Sequence, residues 1–404
     1  MTDRQRALRA YYLFRTIAPF VYSMWLTVAM LYFATVITSD PFQLGLLGIV
    51  LETATLLFEV PTGIVADVYS RKWSIVIGYV IWGIGYIIQG LIPIYGIVLI
   101  SQLIWGLGFT FVSGAPEAWL VDELGEDEAL HLFVHGAQIG RISTIVGIIF
   151  ATAIGTISMA LPIVIGGIGT ILLAGILAVT MPENGFRPLP RTDSRWQIFD
   201  TFRASVREVR GHAVLRSVII IGIIIGISVG GYDALYTPHI VQNFEIPLFE
   251  PVIWFGILFG GVTLLSIPAL EVAKRFLQNN PEFPVSIILA WFAVGTVLGN
   301  LIFVWSGSFY LALIAYWFSQ TLRSSTKPLF MAWINRHTTS GVRATVISFY
   351  WQSNGFGQII GTPIIGAIGS LIGLRVALTV SSVALLPVVS IYHRRRDDSY
   401  TTVT

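Results

Sequence analysis

Apolar residues run along this chain in stretches too long for the helices of a soluble core. Twelve stretches reach the roughly 20 residues needed to cross a bilayer: 11–37, 42–66, 73–93, 96–121, 131–156, 159–181, 213–241, 251–273, 284–305, 308–332, 342–369 and 371–393. Hydrophobicity within them is continuous and lacks a period-two alternation, so they predict helices and not barrel strands. The first has a basic lead of Arg4, Arg6 and Arg9, without a small-residue cleavage site behind a short apolar core. It reads as a retained helix and not as a signal sequence.

The polar gaps test that count, because cytoplasmic loops carry an excess of Lys and Arg. Arg71 and Lys72 follow segment 2. Arg187, Arg191, Arg195, Arg203, Arg207 and Arg210 lie between segments 6 and 7. Lys274 and Arg275 follow segment 8, Arg336 follows segment 10, and Arg394, Arg395 and Arg396 follow segment 12. With twelve crossings all of these fall on one side. The opposite gaps hold Asp40, Glu245 and Glu250 and no Lys or Arg. Both termini are therefore expected in the cytoplasm, with the chain crossing the cell's inner membrane many times.

The longest polar stretch, 182–212, separates a six-segment half at 1–181 from another at 213–404. It opens on turn chemistry, Pro182-Glu-Asn-Gly185. Its Trp196, Phe199, Phe202, Val206 and Val209 recur at helical spacing, with arginines available for the other side. That pattern suits an amphipathic helix on the cytoplasmic membrane surface or a solvated linker helix. A faint repeat links the halves: Ala118-Trp119 ends segment 4 and Ala332-Trp333 ends segment 10. Glycines at small-residue spacing, Gly136 and Gly140 in segment 5 and Gly357 and Gly361 in segment 11, predict close helix packing.

Composition closes the alternatives. Only 11% of residues are charged and 55% are hydrophobic, against about 25% charged in a soluble domain. The net charge of +2 carries no argument for nucleic-acid binding, and the absence of cysteine excludes disulfides and thiol redox chemistry. The three lysines, Lys72, Lys274 and Lys327, do not follow glycine, so no phosphate-binding loop for ATP is present. There is no nucleophile–base set or H-E-x-x-H. His131 and His135, beside an acidic run, read as helix-end surface histidines more readily than as metal ligands. No enzyme activity, metal or cofactor is expected.

One gap carries more chemistry than its length requires. Gly63-Ile-Val-Ala-Asp67-Val-Tyr-Ser-Arg71-Lys72 lies between segments 2 and 3. It resembles the G-x-x-x-D-x-x-G-R-[KR] loop signature of the major facilitator superfamily of secondary transporters. Gly63, Asp67, Arg71 and Lys72 match, while Ser70 replaces a glycine and Val68 a frequent basic residue. The resemblance implies an all-α membrane fold of two six-helix halves around a central cavity. It also implies alternating access, with Asp67 and Arg71 gating the inner side against Asp122, and Glu271 with Arg336 as the counterpart in the second half. It further implies that segments 5 and 11 form sliding surfaces between the halves, and that segment 10 lines the cavity.

Charges within the segments are candidates for function, since each costs at least ~2.5 kcal/mol near mid-membrane. Glu52 and Glu59 share one face of segment 2 with Thr55, and Glu52 lies about 15 Å from the outer end. Burial favours a neutral carboxyl, which suits proton carriage by Glu52; Glu59 reads as structural or gating, its structural role being to neutralise Arg15 of segment 1. Glu117 sits beside Pro116, a residue expected to kink segment 4, with Arg15 and Arg141 as plausible partners. Asp233, flanked by Tyr232 and Tyr236, suits cation binding or an outer gate. Arg323 and Lys327, one turn apart, suit an anionic solute or balance carboxylates of the first half.

Glu52, Glu117 and Asp233 are the proton-coupling candidates. Tyr22, Trp25, Tyr232, Tyr236, Arg323 and Lys327 are the substrate-binding candidates, and Trp105, Tyr316 and Trp317 add aromatic surface. The leading expectation is proton-coupled export of a small amphipathic solute by a monomer in contact with membrane lipid. Segment 4 reads Gln102-Leu-Ile-Trp105-Gly106, without the arginine of many drug–proton antiporters. A facilitator or uptake carrier for an anionic metabolite is the alternative, and a transport-dead sensor or scaffold on the same fold is another.

Overall fold

The computed structural model describes residues 2–188, 213–280, 282–338 and 340–394. The arginines and aromatic residues expected to form a surface helix between 189 and 212 lie outside the described residues, as do Arg395 and Arg396. Regular structure among the described residues is helical.

The first helix, α1 (Asp3–Tyr32), begins eight residues before the apolar run. Thr2 caps it: its hydroxyl accepts the Gln5 N–H, and the Gln5 side chain accepts the Thr2 N–H. A π-helical turn, Phe33–Ile37, finishes the crossing. There follow α2 (Pro41–Val68) and α3 (Arg71–Leu91). Segment 4 is two helices, α4 (Tyr95–Val112) and α5 (Ala115–Leu124). Pro116 was expected to kink it, but the break lies at Gly114, whose φ of 73° is left-handed. Pro116 instead occupies the first turn of α5, where its missing N–H has no partner to lose.

Next come α6 (Glu126–Gly155), α7 (Ala160–Thr180), α8 (Ala213–Asn243), α9 (Pro251–Asn279), α10 (Val285–Trp305), α11 (Phe309–His337) and α12 (Ser340–Leu371). The last crossing is also divided, into α13 (Leu374–Val383) and α14 (Pro387–Arg394). The order is consistent with twelve crossings.

Two compact units result. One comprises residues 1–39, 46–192 and 248–260, the other 40–45, 193–247 and 261–404. In the first, α3 packs on α4 and α7, and α1 on α6 and α7. A Cβ on Gly83 of α3 would lie 2.6 Å from the Gly167 carbonyl oxygen of α7, so the close approach requires glycine. In the second, α8 packs on α12 and α13, and α10 on α11. A Cβ on Gly361 would come 2.5 Å from Ile227 Cα of α8.

The glycines of segments 5 and 11 were expected to form surfaces between halves. Gly140 instead faces Arg15 and Pro19 of α1, and Gly357 and Gly361 face Ile223 and Ile227 of α8. These three close helix pairs within one half of the sequence. Gly155 of α6, in contrast, faces Val252 of α9, and Gly366 and Gly369 of α12 face Pro41 and Phe42 of α2, pairs that join sequence from the two halves. Trp119 and Trp333, 3% and 2% exposed, each lie within a cluster of buried apolar residues of their own unit.

Candidate functional site

The second unit contains a cavity of about 530 Å³, within the size range of small-molecule sites. Helix periodicity builds it. Tyr316, Gln320, Arg323 and Lys327 follow at i, i+4, i+7 and i+11 along one face of α11. On α8, Tyr232 and Tyr236 are one turn apart and stack at 6.0 Å with 13° between planes. Thr296 and Asn300 come from α10, and Tyr350, Trp351 and Asn354 from α12. Tyr236 and Tyr316 meet at 5.4 Å beside it.

Two cations reach this cavity, in different circumstances. Arg323 makes two bonds to one carboxylate: Nη1 donates to Asp233 Oδ1 and Nη2 to Oδ2, both at 2.6 Å. Its Nη1 also donates to Gln320 Oε1 at 3.1 Å. This parallel arrangement is the strongest form of ion pair for a guanidinium. Arg323 was expected to bind solute or balance first-half carboxylates; its charge is balanced by Asp233 of its own unit. Lys327 has no carboxylate within 4 Å among the described residues, and its Nζ lies 4.4 Å from the centre of the Trp351 ring. The Asn300 amide oxygen is buried with no hydrogen-bond partner among the described residues. The cavity thus offers one unneutralised cation, one paired cation, aromatic walls and an open polar group.

The first unit gathers its charges at helix ends. Arg71, at the start of α3, donates from Nη1 to Asp122 Oδ2 of α5 at 2.6 Å, and Nη2 lies 3.6 Å from Asp67 Oδ1 of α2. Gly63 lies inside α2 with open space over its Cα, and Lys72 Nζ lies 5.9 Å from the Trp73 ring centre. Ser70 caps α3: its Oγ accepts the Trp73 N–H at 3.0 Å and donates to Glu183 Oε2 at 2.6 Å. Glu183 also accepts the Lys72 N–H at 2.9 Å. Pro182 accepts the Trp119 indole N–H at 2.7 Å, and the Gly185 N–H donates to Glu123 at 2.7 Å. The turn at 182–185 therefore ties α3 to α5.

Several expected pairs do not form. Glu59 makes no ion pair with Arg15, whose Nε donates to the Gly136 carbonyl at 3.1 Å. Glu117 pairs with neither Arg15 nor Arg141; it lies in the first turn of α5, where the helix dipole favours its charge, and Arg141 is exposed. Glu271 pairs with Arg275 of its own helix at 2.8 Å, and exposed Arg336 pairs with no acid among the described residues. Trp25 is enclosed: it stacks on Tyr86 at 5.2 Å, meets Trp105 at 4.4 Å and donates to Gln89 at 2.6 Å. Tyr22, 39% exposed, is the member of the substrate-candidate pair that reaches the surface.

Residues 12–293 match the sequence pattern of the Major Facilitator Superfamily. The chain belongs to that superfamily. It is 22% identical over 355 residues to the MFS-type transporter YxaM of Bacillus subtilis (strain 168), with 87% of each chain covered. Its fold is similar to that of a bacterial homologue of the human lysosomal transporter Spinster, solved inward-facing and occupied, with a TM-score of 0.77 at 14% identity over 99% of this chain and 98% of that one. The nucleoside transporter NupG gives a TM-score of 0.73 at 16% identity over 98% and 100%. The peptide transporter POT in complex with sulfate gives 0.73 at 13% identity over 99% of each.

As a major facilitator this chain is a multi-pass membrane transporter of small molecules and not an enzyme. The residues missed from sequence are Glu183 and Glu123 beside the Arg71 pair, and Asn300, Tyr350, Trp351 and Asn354 around Lys327. An acid immediately after segment 6, in a chain with only 22 acids, is a signal for the first set. Nothing in local spacing marks the second, because its members come from separate helices.

Proposed function

We propose that this transporter carries a small amphipathic organic anion, held in the second-unit cavity, and couples its movement to protons. The observation that carries the reading is Lys327: a cation in a cavity with aromatic walls, with no carboxylate to neutralise it among the described residues. A solute anion can take that place, with an apolar body against Trp351 and Tyr350.

The Asp233–Arg323 pair supplies the coupling. Protonation of Asp233 removes its charge and releases both guanidinium bonds, so Arg323 joins Lys327 in holding the anion. Proton and anion then bind together, which favours cotransport of the two. Return of the empty carrier is easier with the pair reformed, because a neutralised pair costs less in hydrocarbon than separate charges. The second reading, export of solute in exchange for protons, rests on Glu52 and Glu59, carboxylates of α2 that form no ion pair among the described residues. In both readings the loop charges Asp67, Arg71, Lys72 and Asp122 gate the cytoplasmic side, where both termini lie.

Binding of a panel of aromatic and aliphatic carboxylates to purified protein tests the proposal. Acidification should strengthen anion binding to the native protein. Asp233→Asn should bind the anion with little dependence on pH, because Arg323 is then released throughout. A panel in which cations bind and no anion does removes the proposal. In proteoliposomes, accumulation driven by an inwardly acid gradient on the wrong side for cotransport would select the exchange reading instead.

A further inference from the structure

We propose that the first unit carries a binding site for the headgroup of an anionic glycerophospholipid, at the end where α1 and α3 begin and α7 finishes. A cavity of about 510 Å³ lies there, lined by Arg6, Arg9, Lys72 and the backbone turn from Val179 to Pro182. Arg6 and Arg9 are three residues apart and share a face of α1. Lys72 comes from the first turn of α3.

The charges leave a surplus. Asp3 lies 3.8 Å from Arg6. Glu183, the other acid near Lys72, is occupied by the Ser70 hydroxyl and the Lys72 N–H. Arg9 and the Lys72 ammonium have no ion pair among the described residues. Three convergent cations around an open cavity suit a phosphoryl group.

The apolar surroundings distinguish a lipid from a soluble phosphate. On α7, Leu161, Ile165, Ile168, Leu172, Ile176 and Val179 recur at spacings of three and four, each at least 37% exposed. They form an apolar stripe along the helix, and Val179, 86% exposed, ends it as part of the cavity wall. Trp73 on α3, 52% exposed, stands beside Lys72, a position that suits an indole at the headgroup level. A soluble phosphate would use the cations alone. A phospholipid uses the cations with its headgroup and the stripe with its acyl chains. The excess of Arg and Lys places this end towards the leaflet that carries anionic lipids.

The test uses the full-length protein, delipidated and examined by native mass spectrometry in titrations with phosphatidylglycerol, phosphatidylcholine and soluble glycerol phosphate. Phosphatidylglycerol should bind well above phosphatidylcholine. Arg6→Gln/Arg9→Gln should weaken it roughly thirtyfold, whereas Arg9→Lys should stay within a few-fold of native. Both arginines are exposed, so an unchanged thermal midpoint should accompany the loss. Equal binding of the two lipids, or full affinity in the double variant, overturns the site. Glycerol phosphate competing as well as phosphatidylglycerol overturns the lipid and leaves a soluble phosphate.

Discussion

The first unit keeps its strongest ion pair at helix ends, and the second keeps its own along the helices, beside a cavity. Arg71 and Asp122 meet where α3 begins and α5 finishes, with Asp67 at 3.6 Å and a docked turn at 182–185. Arg323 and Asp233 meet at the side of α8 and α11, with Lys327 one turn further. Among the described residues the second unit has no equivalent of the end pair: Glu271 turns to Arg275 on its own helix, in the open. A pair at a helix end can open into water at little cost. One within the span stays closed unless a solute or proton replaces a partner. Under the proposed function, the difference assigns conformational locking to one unit and solute recognition to the other.

The largest expected effects therefore fall in the second unit. Arg323→Gln and Lys327→Gln should each weaken binding of the solute anion on the order of a hundredfold, the range for removing one partner of a hydrogen-bonded charge pair. Isothermal titration with the best anion from the panel reads this directly. Native affinity in Lys327→Gln would break the comparison at its firmest point.

The next effect is in transport and leaves binding unchanged. Arg71→Ala and Asp122→Asn should slow transport several-fold in proteoliposomes while affinity for the anion stays within a factor of two. Asp67→Asn should do less, since its contact with Arg71 is long. Arg275→Ala, the formal counterpart in the second unit, should transport at the native rate, as its pair is exposed and worth little. Equal losses on both sides would mean that the units lock symmetrically.

Glu52→Gln separates the two coupling readings. Under anion–proton cotransport through Asp233, this variant should still accumulate solute with a native pH profile. Loss of accumulation with exchange intact would assign the proton to Glu52 and support export. Comparing initial rates with and without an imposed pH gradient reads the outcome.

Much of the fold was legible in the sequence because membrane crossing imposes length and continuity on each helix. The one-sided Arg and Lys pattern then limited the number of crossings. The breaks were less legible. Pro116 drew attention in segment 4, while the left-handed backbone of Gly114 makes the break, and a φ sign is not written in a residue that adopts either. For the site, Arg323 and Lys327 stood out because cations are rare in apolar helices. Their separate fates, one paired with Asp233 and the other over Trp351, depend on residues 90 and 24 positions away. Arg15 failed in the opposite direction: it was matched with Glu59 by charge alone, yet a carbonyl of α6 satisfies it.

The smallest expected effect concerns Ser70, where the superfamily signature has glycine. Its hydroxyl has two tasks, capping α3 through the Trp73 N–H and holding Glu183. Ser70→Ala removes both, and an N-cap alone contributes about 1 kcal/mol. A unit of this size should lose about 2–4 °C in thermal midpoint. Ser70→Gly restores the signature residue and retains most of the cap, since glycine costs only a few tenths of a kcal/mol there. It still leaves Glu183 without the hydroxyl. A midpoint for Ser70→Gly close to native would assign the stabilisation to the cap, and one close to Ser70→Ala would assign it to the bond with Glu183. Glu183→Gln closes the cycle. If the serine acts through Glu183, combining Ser70→Gly with Glu183→Gln should cost little more than either change alone, and additive losses would show that the two side chains act independently.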